Sequence, residues 1–229
     1  MKKKVAFIFF FVILAGLFLS SGFITKSSSF RNFLAHNFNN NIKGVSSENL
    51  KLQEIIINGR KKIKYPQDLT IVMIGDSMTE RLGNSDEIRA DLKKYNPNKS
   101  VEILNYGFGS TNILSVPERL EKDTFFQRTF RPILDIDFDL VLIESFGFNP
   151  LSQFSLEEGL KKQTDTLDQI ISKIKAENPR AKIIFVATIA PSRYHYGENT
   201  VDLTPEKRMA WADERIAYIK NHIDFAKSH

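Results

Sequence analysis

After Pro66 four short apolar runs recur at intervals: LTIVMI at 69–74, VEIL at 101–104, FDLVLIE at 138–144 and KIIFVAT at 182–188. The segments between them carry helical spacing. DEIRADLKKY, after Ser85, sets Ile88, Leu92 and Tyr95 four and three residues apart, on one helix face. A second helix is predicted between Pro117 and Leu134. Ser155 with Glu158 forms a capping box for a third, whose Leu160, Leu167, Ile170, Ile171 and Ile174 mark a buried face before Asn178-Pro179 ends it. Thr204, with Pro205 in the favoured first position, opens a last helix carrying Ala212, Ile216, Ile219 and Ile223. Runs this apolar are strands covered on both faces, and their alternation with amphipathic helices predicts an α/β domain: a mostly parallel sheet in three layers. In such a sheet the chemistry collects beyond the carboxyl ends of the strands.

That rule selects three loops. GDSMTE, 75–80, follows the first strand; Gly75 permits a tight turn, and Ser77 presents a hydroxyl at the strand end. NYGFGSTN, 105–112, follows the second, with Gly107 and Gly109 two residues apart and backbone amides able to face a developing negative oxygen. GFNP, 147–150, follows the third and supplies the side-chain NH₂ of Asn149. Each motif alone is weak, because a capping serine, a pair of turn glycines and a turn asparagine are ordinary loop features.

Taken in order, GDSMTE, NYGFGSTN and GFNP resemble the first three sequence blocks of the SGNH hydrolases, the GDSL esterase/lipase family, over roughly 69–229. The resemblance implies a three-layer flavodoxin-like fold and ester cleavage through an acyl-enzyme, with no cofactor or metal. Ser77 matches the nucleophile, an amide of the second block the first oxyanion donor, and Asn149 the second donor. Two departures stand out. The family's glycine donor falls five residues after the block's asparagine, which is Ser110 here, while the nearest glycine is Gly109; both remain candidates. Pro150 stands where the family often has aspartate, which removes an acceptor that supports the asparagine donor.

The proton acceptor is the weak point. A serine hydroxyl needs a neighbouring base, and the family supplies a histidine three residues after an aspartate, beyond a fifth strand. None of the four histidines, His36, His195, His222 and His229, has that spacing. The sequence reading is therefore that the domain, 69–229, is incomplete at its C-terminus, lacking its last strand and helix. The rival is that His195, in the loop after the fourth strand and oriented by Glu198 or Asp202, is the base.

Ahead of the domain, Lys2, Lys3 and Lys4 precede an uncharged apolar run from Val5 to Thr25, long enough to cross a bilayer with its C-terminal side exported. A membrane anchor over 1–25 is expected; a signal peptide cleaved near Ser20 to Gly22 is the alternative. Residues 26–68 read as an extracellular spacer holding one hairpin, with Asn58-Gly59 between two β-prone runs and a basic arm available to anionic lipid or wall polymer. With 32 Lys and Arg against 27 Asp and Glu, and the excess gathered near residues 2–4 and 60–64, no basic stripe suits nucleic acid. The absence of cysteine removes disulfides and thiolate chemistry. The function expected is surface ester hydrolysis, with O-acetylated glycan, lipid or a small ester as substrate; acyl transfer and a catalytically inactive glycan-binding or surface domain are the alternatives.

Overall fold

A computed structural model describes residues 52–125 and 128–229. The expected membrane segment at 1–25, and His36, lie outside these residues. No helix among the described residues is long and apolar enough to cross a membrane.

Gln53–Ile57 (β1) and Arg60–Lys64 (β2) form the expected antiparallel hairpin. Asn58 and Gly59 both take positive φ, 51° and 78°, the conformation that matches a two-residue turn to the twist of its strands. The hairpin departs from the spacer reading, because β2 pairs in parallel with Ile136–Asp137 (β7) and belongs with the domain. Two of the four basic residues on its arm are committed too, while Lys61 and Lys64 stay exposed. Lys62 is fully buried with Nζ on Asn178 Oδ1 at 2.7 Å, Arg60 pairs with Asp135 at 2.6 Å, and Asn58 Nδ2 donates to the Ala176 carbonyl. Burial lowers the Lys62 pKa, with Glu177 opposing the shift.

The main sheet contains Leu69–Gly75 (β3), Val101–Gly107 (β4), Leu140–Glu144 (β8) and Lys182–Val186 (β9). All neighbours are parallel, in the spatial order β4-β3-β8-β9. In order of appearance this is 2-1-3-4, so the chain reverses its winding between β3 and β8, and in doubly wound sheets ligands bind at that switch point. The alternation of side chains splits the strands between two cores. Val72, Ile74, Val141 and Ile143 are fully buried against three helices, Val116–Glu121 (α3), Leu156–Glu177 (α4) and Pro205–Ser228 (α5). Ile71, Met73 and Ile103 face the other way, onto Ile88 and Leu92 of Asp86–Tyr95 (α2). Each such side chain contributes about 1.5–3 kcal/mol when fully buried. The strand ends that carry the three loops are thereby the best anchored part of the sheet.

The helix starts behave as their sequences dictate: Ser155 Oγ accepts from Glu158 N, and Thr204 Oγ1 accepts from Lys207 N. One expectation fails. The helix predicted over 117–134 is only α3, because Lys122 turns extended and Pro132 disfavours helix in the residue before it. Phe130 instead folds back to meet Phe108 edge-on at 4.8 Å and Tyr106 at 5.8 Å. A short antiparallel ribbon, Thr124–Phe125 (β5) with Arg128–Thr129 (β6), fills part of the interval. Tyr95 lies at the last turn of α2 and is 65% exposed. On α5 the buried face is Ala212, Tyr218, Ile219, His222 and Phe225, with Ile216 and Ile223 only half-buried.

Candidate active site

Ser77 opens the four-residue helix Ser77–Glu80 (α1), directly after β3 and its one-residue link, Asp76. Asp76 is fully buried, and its bonds place it at the junction of two loops. Oδ1 caps α1 by accepting from Met78 N at 2.8 Å. Oδ2 accepts from Asn149 Nδ2 at 2.6 Å, which brings the third loop against the first. The backbone N of Asp76 donates to Glu144 Oε2 at 2.9 Å. Ser77 itself is half-buried, with its position set by this neighbour.

The second loop is bound to α1 through Asn105. Its Nδ2 donates to the carbonyls of Thr79 and Gly83, both at 2.9 Å, while its Oδ1 accepts from Gly107 N. A Cβ on Gly107 would lie 2.2 Å from Glu80 N, so only glycine lets α1 rest on the end of β4. Gly109 comes next to the nucleophile: a Cβ there would sit 3.7 Å from Ser77 Cβ. Its amide donates to Glu80 Oε2 at 2.8 Å. Ser110 is exposed and left-handed, φ 58°, a conformation that glycine adopts most easily. Both candidates of the second loop thus follow the end of β4, Gly109 beside Ser77 and Ser110 with a backbone angle typical of glycine.

Ser77, Gly109, Ser110 and Asn149 are thus gathered at the carboxyl ends of β3, β4 and β8, around the switch point. Two charged residues that the sequence reading missed lie beneath them. Arg119, from α3, is buried, with Nη1 on the carbonyls of Gly75 and Tyr106 at 2.7 and 2.9 Å. Its other terminal nitrogen donates to the hydroxyls of Thr111 and Ser115. The guanidinium also lies 4.9 Å from the Phe108 ring centre and 5.6 Å from that of Phe146. Burial pulls its pKa down to about 10, against the opposing charges of Asp76, Glu144 and Glu80. Glu144, the last residue of β8, accepts from the backbone N of Asp76 and of Phe146. Burial, and then the charge of Asp76, push its pKa up to about 8. A charged residue inside an apolar run such as FDLVLIES was the available signal for Glu144. Arg119, on an amphipathic helix, gave none.

The three described histidines are engaged elsewhere. His195 is 71% exposed on its side chain, with Nδ1 on Glu198 Oε2 at 2.8 Å, so Glu198 rather than Asp202 is its partner. His222 is buried beneath β9, edge-on to Phe185 at 5.3 Å. His229 stacks on Phe225 and meets Asp168 at 3.2 Å. The loop bearing His195 nonetheless borders the site: Tyr196 packs on Phe148, the residue before Asn149, at 6.3 Å. Arg215 lies over both Tyr196 and Trp211, at 4.8 and 5.2 Å.

No protein-family model and no curated protein sequence matches the chain. Its α/β fold is similar to those of solved esterases and lipases. One is an acetyl xylan esterase, 16% identical over 70% of this chain and 73% of that one, with a TM-score of 0.48. Another is a lipase/acylhydrolase from Enterococcus faecalis, at 20% identity, 70% and 72% coverage and a TM-score of 0.45. A third is an acetylxylan esterase from Geobacillus stearothermophilus, at 15% identity, 70% and 73% coverage and a TM-score of 0.45.

Proposed function

We propose that this chain is an exported serine ester hydrolase of the SGNH type. The observation that carries the reading is the meeting of three strand-end loops: Gly109 so near Ser77 that a Cβ on it would lie 3.7 Å from Ser77 Cβ, and Asn149 bonded to the residue before Ser77. In the proposed reaction Ser77 Oγ attacks the ester carbonyl carbon and gives up its proton to a base. The carbonyl electron pair moves onto oxygen, which receives hydrogen bonds from the Ser110 amide and the Asn149 NH₂. Collapse of this intermediate breaks the bond to the alcohol oxygen, which leaves with the proton. Water then attacks the acyl-enzyme, releasing the carboxylic acid and restoring Ser77.

For the substrate, an O-acetyl group on a surface glycan is the reading best supported. The lysine-flanked apolar run at 5–25 motivates export. Phe148, the residue before Asn149, packs with Tyr196 and sets aromatic rings at the border of the site, where sugar rings can stack.

A fluorophosphonate probe tests the reading directly. Covalent labelling at Ser77, lost in S77A and matched by acetate release from an acetylated polysaccharide, is the expected result. The second reading, a catalytically inactive glycan-binding domain, is favoured by the engagement of each described histidine away from Ser77. It requires that the probe leave Ser77 unlabelled while the glycan still binds. Transfer of the acetyl group to an added acceptor sugar, in place of release as acetate, marks acyl transfer.

A further inference from the structure

We infer that Glu80 is a positioning residue that sets the oxyanion-binding loop, an inference that rests on the hydrolase reading above. Glu80 closes the same short helix that Ser77 opens, three residues later. Its backbone is fixed from two sides: Glu80 N donates to the Asp76 carbonyl at 2.9 Å, and β4 lies against it at Gly107. From this fixed base the carboxylate accepts from Gly109 N at 2.8 Å.

That amide is one end of the peptide unit joining Phe108 to Gly109. The other end, the Phe108 carbonyl, accepts from Thr111 Oγ1 at 2.6 Å. Thr111 is held in turn by Arg119. One peptide plane is therefore gripped at both ends, by Glu80 and by Thr111. The next peptide unit carries the Ser110 N–H, and it hangs from Gly109, whose backbone is the least restrained of any residue type. Without the grip, rotation about Gly109 redirects the Ser110 amide, which in the proposed reaction donates to the oxyanion formed at Ser77. The arrangement also explains why residue 109 is glycine, since a Cβ there would lie 2.7 Å from Glu80 Oε2. An amide donor must sit within about 3 Å of the oxyanion, and a misplacement of about 1 Å can cost on the order of a hundredfold in rate.

The test uses the full chain in non-ionic detergent, labelled with ¹⁵N-glycine, and the variants E80Q, E80A and E80M. Glutamine keeps an acceptor oxygen at the same reach; alanine and the length-matched methionine remove it. Pre-steady-state acylation by p-nitrophenyl acetate is expected to slow on the order of tenfold to a hundredfold in E80A and E80M, with KM unchanged and with E80Q close to the parent. The Gly109 amide resonance is expected to move in E80A and E80M and to exchange faster with solvent, and to keep its parent position in E80Q. Equal losses in all three variants would assign the effect to charge and overturn the inference, as would parent-like acylation in E80A. If the parent shows no Ser77-dependent acylation, the hydrolase reading fails separately. The glycine resonance then decides: movement in E80A and E80M but not in E80Q supports the grip, and an unmoved resonance overturns it.

Discussion

Asn149 Nδ2 donates to Asp76 Oδ2 at 2.6 Å, joining the loop after β8 to the residue that precedes Ser77. One hydrogen of the NH₂ is held by this bond, and in the proposed reaction the second donates to the oxyanion. Removing the side chain in N149A should slow acylation of Ser77 by about 10² to 10³-fold, the loss typical of one oxyanion donor. Stability should fall by about 1.5–3 kcal/mol, because a bond to an ionised group is lost. N149D should be less stable than N149A, since it sets a second carboxylate against Asp76. Urea unfolding of the two variants side by side checks this order; equal stability would mean that the contact is not formed.

Arg119 holds the strand ends from below, with four acceptors on β3, β4, the second loop and Ser115. A lysine has three donors on one nitrogen and cannot reproduce the planar fork. R119K is therefore expected to lose stability and R119M to lose more, on the order of 3–5 kcal/mol, because buried carbonyls and carboxylates then face no cation. Both should also broaden the resonances of the second loop. A fully stable R119M would show that the buried carboxyls need no counter-charge.

The parts of this molecule legible in its sequence are those fixed by neighbours along the chain. The Asn58-Gly59 turn, the Ser155 and Thr204 caps, the apolar strands and the three strand-end loops all follow from local rules, and parallel pairing then brings the loops together. What was not legible depends on partners far away in sequence. Lys62 is buried by Asn178, and Arg119 by carbonyls that β3 and β4 present. The 117–134 helix yields to the packing of Phe130 on Phe108. Glu80 reads as an ordinary acidic residue of a helical turn until the loop at Gly109 folds over it.

His195 offers a sharp comparison. Its pairing with Glu198 on an exposed loop is worth little to the fold, about 0.2–1 kcal/mol by the usual measure of such pairs. H195A should leave the unfolding midpoint nearly unchanged and alter probe labelling of Ser77 by no more than a few-fold. Loss of labelling in a folded H195A would instead identify His195 as the base, reached by movement of the loop anchored at Tyr196 and Phe148.

Two buried groups contribute to the pH dependence of stability in opposite directions. Glu144 ionises near 4.5 when unfolded and only near 8 in the native protein, because burial and the Asp76 charge oppose its anion. Between those values the native state holds the extra proton, so stability falls as pH rises through the window. His222 has the reverse arrangement: burial takes its pKa from 6.5 down to about 4, with the Ile143 backbone opposing the shift. The unfolded state then holds the extra proton, and stability rises with pH from about 4 to 6.5. The two effects offset each other below 6.5, and above it Glu144 is no longer opposed by His222. The urea midpoint of the parent should therefore decline from pH 6.5 to 8. E144Q, which keeps a neutral carbonyl acceptor for Phe146 N, should remove that decline. H222F, beside Phe185 and Phe225, should leave Glu144 unopposed on the acid side, so that the decline begins below 6.5, and keep the decline above 6.5 intact. A decline that survives in E144Q would locate the extra native proton on a group other than Glu144.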